Sequence, residues 1–194
     1  LPRAQLVRGA HFLENHDEPR IAAQLSPAEQ RAAALAILGL PGLRFLHEGQ
    51  LSGAKVKLPV QLARRGPEPV AAAVAEAYDQ LLSVLSPSAV GRGEFALLPP
   101  REAWPGNPTA QNFIIVQWQA QPPAFDLVVV NLAAHRSQCY APLTIPQLAE
   151  HNWTMRDALG TEAYERFGAD LEAQGLYLDL PETGAQLFHF EPLR

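Results

Sequence analysis

The chain is poor in the residues that build cross-links, metal cages and basic surfaces. Cys139 is its one cysteine among 194 residues, which excludes an intrachain disulfide and a thiolate metal cage. It sits beside Tyr140 in an apolar run, where the expected role is a small buried hydrophobe rather than a thiol nucleophile. Lys and Arg number 15 against 20 Asp and Glu, a formal net charge of −5. Neither nucleic acid nor a membrane surface is therefore an expected partner. No apolar run approaches the ~20 residues needed to span a bilayer. The scarcity of cysteine and the lack of a visible secretory leader favour the cytoplasm. The chain opens on Leu1 rather than Met, however, and reads as part of something longer, so a missing leader carries little weight. Apolar residues make up 47% of the chain, enough for one ordinary domain or a small domain plus a further piece.

Two halves differ in periodicity. Residues 1–90 alternate short apolar runs with helix signals. Residues 10–13 form one such run, and residues 43–46 form another. Between them, Ser26-Pro27-Ala28-Glu29 has the form of a capping box with proline at the first helical position. That helix is expected to run to about Leu38 and to stop at Gly39, Pro41 and Gly42. A loop containing Gly and Lys follows, up to Pro67 and Pro69. Val70, Val74, Tyr78, Leu81 and Leu85 then recur at spacings of three and four, the apolar stripe of a helix ended by Ser86-Pro87. Strand, helix, strand, helix with polar groups at the strand ends is the pattern of a parallel α/β barrel. From residue 91 the pattern becomes short β-type runs at 95–98, 112–118, 125–132, 139–145, 176–180 and 186–190. Turns such as Pro99-Pro100, Pro105-Gly106 and Pro122-Pro123 separate them. The fold class expected is α/β followed by all-β, the second part an antiparallel sandwich or barrel.

The most informative stretch is residues 11–20, His-Phe-Leu-Glu-Asn-His-Asp-Glu-Pro-Arg. An apolar lead-in ends abruptly in Asn15-His16-Asp17. An amide, an imidazole and a carboxylate at one strand end suit a polyhydroxylated ligand, whose vicinal hydroxyls need a donor and an acceptor side by side. The same three residues also fit a plain turn in which Asn and Asp bond to local backbone. Arg20 likewise fits a surface cation set against Glu18. His11, Glu14, His16, His47 and Glu48 match no compact metal-ligand spacing, so no metal is expected. Trp118 and Trp153 lie in apolar runs and are expected in the core. Trp104 lies in a loop and is the tryptophan best placed for an exposed contact.

The stretch resembles the region around the third catalytic acid of the alpha-amylase superfamily, glycoside hydrolase family 13. The pattern there is Phe, two variable residues and Asn-His-Asp, often followed by Pro-Arg. Phe12, Asn15, His16, Asp17, Pro19 and Arg20 stand at the matching positions. The resemblance implies that residues 1–90 are the last two strand-helix units of a (β/α)8 catalytic barrel. Residues 91–194 would be the antiparallel β-sandwich that follows it. It implies retaining hydrolysis of α-glucosidic bonds in starch- or glycogen-type oligosaccharides, with nucleophile and acid/base on earlier strands, upstream of Leu1. Asp17 would be the transition-state-stabilising acid, His16 and Asn15 would bind substrate, and Arg20, His47 and Glu48 would support them from behind. His47-Glu48-Gly49-Gln50 departs from the family's usual Gly-Gln/Glu-Glu order, so no direct catalytic role is implied for it. No cofactor is implied for these residues; the calcium of many amylases belongs to a domain inserted earlier.

Partners implied are an α-glucan substrate and the missing N-terminal part of the same enzyme. Two barrel strands out of eight would leave an open sheet edge, so the region near Leu1 is expected to be loosely ordered. The competing readings are a non-catalytic carbohydrate-binding or interaction module, a transglycosylase of the same superfamily, or a family member retained only for its fold.

Overall fold

A computed structural model of the chain describes residues 3–62, 64 and 66–193, so Leu1 and its expected looseness lie outside the described residues. Helix α1 (Arg3–Arg8) leads into β1 (Ala10–His11), which pairs in parallel with β2 (Leu43–Arg44). Ala10 faces Leu43 and His11 faces Arg44. Flanking bonds from Leu43 N–H to the Gly9 carbonyl and from Phe45 N–H to the His11 carbonyl, both 3.0 Å, extend the ladder slightly. The strands are shorter than the apolar runs that announce them. No third strand joins this pair among the described residues, and an isolated two-stranded ribbon sustains little pairing.

Helix α2 (Pro27–Gly39) begins where the sequence places it. Ser26 N–H donates to Glu29 Oε2 at 2.8 Å, and Ser26 Oγ accepts from Glu29 N–H at 3.4 Å. The helix ends against a β-sheet. A Cβ on Gly39 would stand 2.7 Å from Val128 Cγ1, so glycine there permits the close approach. Trp118 Nε1–H caps the same point by donating to the Gly39 carbonyl at 2.8 Å.

Helix α3 (Ala72–Leu85) buries Val74, Tyr78 and Leu81. Two members of the expected stripe differ. Leu85 is half-buried. Val70 is 63% exposed and precedes the helix. Ala71 is the N-cap, its backbone N–H tied to the Ser52 carbonyl at 3.0 Å. Val70 therefore belongs to the extended entry segment after Pro69, off the helical face.

The remaining strands are antiparallel: β3 (Glu94–Leu97), β4 (Arg101–Glu102), β5 (Phe113–Gln119), β6 (Phe125–Asn131), β7 (Ser137–Ala141), β8 (Asn152–Asp157), β9 (Ala163–Phe167), β10 (Leu176–Leu180) and β11 (Ala185–Pro192). Six form a sheet in the order β3-β5-β6-β11-β8-β9, and three form a second in the order β10-β7-β4. Strand β9 and the seven-residue helix α4 (Gly168–Gln174) are not signalled by sequence. The edge strand Ala-Tyr-Glu-Arg-Phe is largely exposed, so it has no buried face to produce alternation.

One apolar core lies between the two sheets. Phe125 stacks on Phe190 at 4.3 Å, and Trp153 meets Phe125 edge-on at 5.1 Å. Cys139, Leu176 and Leu178 close it from the smaller sheet. Burial pushes the Cys139 thiol up to about 12, so it carries no nucleophilic thiolate at neutral pH. A second core lies on the opposite face of the larger sheet. There Val116, Trp118, Val128, Val130 and Leu187 meet Leu35, Leu38, Val74, Tyr78 and Leu81 of α2 and α3. Strand β6 is thus buried on both faces, which is why it reads as an almost continuous apolar run.

Asp126 interrupts that run and is buried. It accepts hydrogen bonds from Ala89 N–H at 2.5 Å and from His189 Nδ1 at 2.8 Å. The bond to Asp126 raises the His189 pKa above 6.5, against desolvation; Glu191 adds to the rise and Arg156 opposes it. A group whose pKa is higher folded than unfolded stabilises the fold fully below the unfolded pKa and loses that contribution as pH rises through the folded value. The urea midpoint is therefore expected to fall across the pH range just above 6.5. His189→Gln should remove that component of the slope. An identical pH profile in the variant would refute the assignment.

Candidate functional site

The chain leaving β1 turns sharply because Asn15 holds it. Asn15 Oδ1 accepts from Asp17 N–H at 2.8 Å and from Glu18 N–H at 3.1 Å, a side chain standing in for a backbone turn. The turn throws His16 and Asp17 outward, with side chains 64% and 76% exposed and 3.3 Å between His16 Nε2 and Asp17 Oδ2. Lys57 Nζ donates to the Asp17 carbonyl, pinning the backbone and leaving the carboxylate for solvent or ligand. Asn15, read from sequence as a ligand contact, thus commits its carbonyl oxygen to shaping the loop.

Behind the turn sits a buried charge cluster. Glu14 and Arg20 have side chains 0% and 6% exposed, with Arg20 Nη2 3.0 Å from Glu14 Oε1. The other Glu14 oxygen accepts from Ile21 N–H at 2.5 Å. Arg20 also donates to the Glu48 carbonyl at 2.9 Å and to the Ala54 carbonyl at 3.4 Å. Its Nη1 lies 2.7 Å from His47 Nδ1. One arginine therefore links the loop after β1 to the loop after β2. It is not the surface partner of Glu18 that the sequence also allowed.

The loop after β2 has a second anchor. His47 N–H donates to Gln50 Oε1 at 3.1 Å, and Gln50 Nε2 donates to the Tyr78 hydroxyl at 2.7 Å. Gln50 is 1% exposed. Burial raises the Tyr78 pKa, partly offset by the Gln50 bond, so that hydroxyl stays protonated.

Asn15, His16, Arg20, His47 and Glu48 line an open cleft of about 190 Å³, together with residues 56–60 and Leu62. These five are brought together at the ends of β1 and β2 where the chain leaves the strands. Asp17 is not part of the lining and stands at the rim beside His16. Sequence reasoning missed Glu14 as a member of the site. A carboxylate following Phe12-Leu13, with Arg20 six residues on, was the available signal for a buried pair. Lys57 carried no signal. Trp104 is 52% exposed, as a loop tryptophan should be, while Trp118 and Trp153 are core residues. Among the described residues no group of three or more His, Cys, Asp or Glu is placed to hold a metal ion, and no helix is long and apolar enough to cross a membrane.

No family model matches the sequence, and no curated protein matches it. Solved structures do match its fold. The alpha-amylase from Geobacillus thermoleovorans, solved with acarbose, is similar over 97% of this chain and 40% of its own, at 15% identity and a TM-score of 0.72. The maltogenic alpha-amylase AmyB from Thermotoga neapolitana is similar over 95% and 41%, at 17% identity and a TM-score of 0.67. Trehalose-6-phosphate hydrolase from Bacillus licheniformis is similar over 94% and 43%, at 13% identity and a TM-score of 0.60. The chain thus spans about two-fifths of the length of these enzymes and shares the fold of that part.

Proposed function

We propose that this chain is the C-terminal part of an alpha-amylase-like glycoside hydrolase that cleaves α-glucosidic bonds with retention. The observation that carries the reading is the outward-facing His16-Asp17 pair, within an Asn-His-Asp turn, at the same end of a parallel strand pair as His47. In this reading residues 1–90 supply the last two barrel units, with α2 and α3 as their helices. Residues 91–194 form the β-sandwich that follows.

Retaining glycosidases use two carboxyl groups ~5–5.5 Å apart, one as nucleophile and one as acid/base. We assign both to the remainder of the enzyme. Asp17 binds the 2- and 3-hydroxyls of the sugar being cleaved, and its charge gains strength against the oxocarbenium-like transition state. His16 donates to one of the same hydroxyls. Water is the favoured acceptor, because Asn-His-Asp followed by Pro-Arg looks closer to hydrolytic amylases than to branching or sucrose-using relatives. The residues present call for no cofactor, and any calcium would be held elsewhere in the enzyme.

The 194-residue chain alone is therefore expected to release no reducing sugar from starch or maltooligosaccharides. Loss of central carboxylates removes most of a hydrolase's rate enhancement, and remaining binding groups recover little of it. Turnover by the purified chain that vanishes with Asp17→Asn would overturn the assignment of the essential carboxylates to the rest of the enzyme.

A further inference from the structure

We propose that His47 is itself a saccharide contact, donating a hydrogen bond from Nε2, and that Glu14 and Arg20 are positioning residues that fix its tautomer. The contact rests on the α-glucan reading above; the tautomer does not.

The Arg20 guanidinium carries five N–H donors and no acceptor, and it does not deprotonate in proteins. Arg20 Nη1 lies 2.7 Å from His47 Nδ1, so Nδ1 must supply the lone pair. A neutral imidazole whose Nδ1 accepts carries its proton on Nε2.

Arg20 cannot easily turn away. Its Nε and Nη2 are spent on the carbonyls of Ala54 and Glu48, and Nη2 also faces Glu14 Oε1. Glu14 is fully buried and held from its other oxygen by Ile21 N–H. A proton on His47 Nδ1 would set one N–H against another, and a flip of the ring would set Cδ2–H in its place; either leaves a buried guanidinium donor without an acceptor, which is costly. The His47 backbone is fixed separately through Gln50 and Tyr78.

The imidazole is consequently oriented at both ends, yet its side chain is 24% exposed and lines the same cleft as Asn15 and His16. Among the described residues nothing hydrogen-bonds to Nε2. An N–H donor held still at the edge of a cleft, close to the His16-Asp17 pair, suits a sugar hydroxyl oxygen. A carboxylate acceptor on one loop and a fixed imidazole donor on the next can grip neighbouring hydroxyls together.

The tautomer is read directly from imidazole ¹H–¹⁵N correlation spectra of the 194-residue chain, with the His47 signals identified by their loss in His47→Gln. A single tautomer is expected at neutral pH, with Nε2 protonated and Nδ1 bare. A proton on Nδ1 would overturn the proposal. Arg20→Lys keeps the charge but loses the planar fork, so His47 should shift to a mixture of tautomers; an unchanged spectrum would remove the positioning role.

The contact is read in the full-length enzyme. His47→Leu should lower kcat/KM on maltooligosaccharides about tenfold, the worth of one hydrogen bond of ~1.4 kcal/mol. His47→Gln retains an N–H donor and should recover most of that loss. Equal losses in the two variants, or none in either, would overturn the contact. A wild-type enzyme silent on α-glucans would remove the functional reading, and the contact with it, while leaving the tautomer spectrum as it stands.

Discussion

Replacing Arg20 by methionine is expected to destabilise the chain by about 3–5 kcal/mol, the usual cost of removing one partner from a buried ion pair. Arg20 and Glu14 have side chains 6% and 0% exposed, so the orphaned carboxylate would have no water to replace the guanidinium. The substitution also strips hydrogen bonds from the carbonyls of Glu48 and Ala54 and from His47 Nδ1. Adding Glu14→Gln to the same variant should recover part of the loss. The amide is uncharged, and its oxygen can still accept from Ile21 N–H, which now reaches Glu14 Oε2 at 2.5 Å. The urea midpoint and slope of the three proteins measure both effects. A loss below about 1 kcal/mol for Arg20→Met, as for a surface pair, would show that the cluster does not hold the two loops together.

This cluster also marks the limit of what the sequence discloses. Local devices were readable because their signals are short-range. The capping box at Ser26 and Glu29 lies within four residues, and the two glycines and one proline at 39–42 stop α2 through backbone chemistry. The period of the stripe placed Val74, Tyr78 and Leu81 inward. It failed at Val70, where the tie from Ala71 N–H to Ser52 starts the helix later than apolar spacing suggests. The Asn-His-Asp turn was visible because its residue types are unusual together. The burial of Glu14 was not, since it depends on Arg20 and on a histidine 33 positions along the chain, joined only by β1–β2 pairing. Strand β9 and helix α4 share that obscurity: their order comes from neighbouring elements rather than from a buried periodic face of their own.

The larger functional effect belongs to Asp17. In the full-length hydrolase of the proposed reading, Asp17→Asn is expected to lower kcat by roughly three orders of magnitude or more, with KM little changed. Asparagine keeps the shape of the side chain and its hydrogen-bonding reach but removes the charge that strengthens against an oxocarbenium-like centre. Among the described residues that charge faces the exposed His16, 3.3 Å away, and no core group. Asp17 is held through its backbone, by Asn15 Oδ1 at one end and Lys57 Nζ at the other, and its side chain is 76% exposed. Melting temperature should therefore be unaffected, which separates this substitution from Arg20→Met, where stability falls first.

The measurement that bears most directly on the account is reducing-sugar release from maltooligosaccharides by the full-length protein, wild type against Asp17→Asn, with melting curves of both. The expected result is an active wild type and a variant that melts at the same temperature and binds substrate with similar affinity while turning it over at least about a thousandfold more slowly. A variant as active as the wild type would contradict the role assigned to Asp17 and to the turn that presents it.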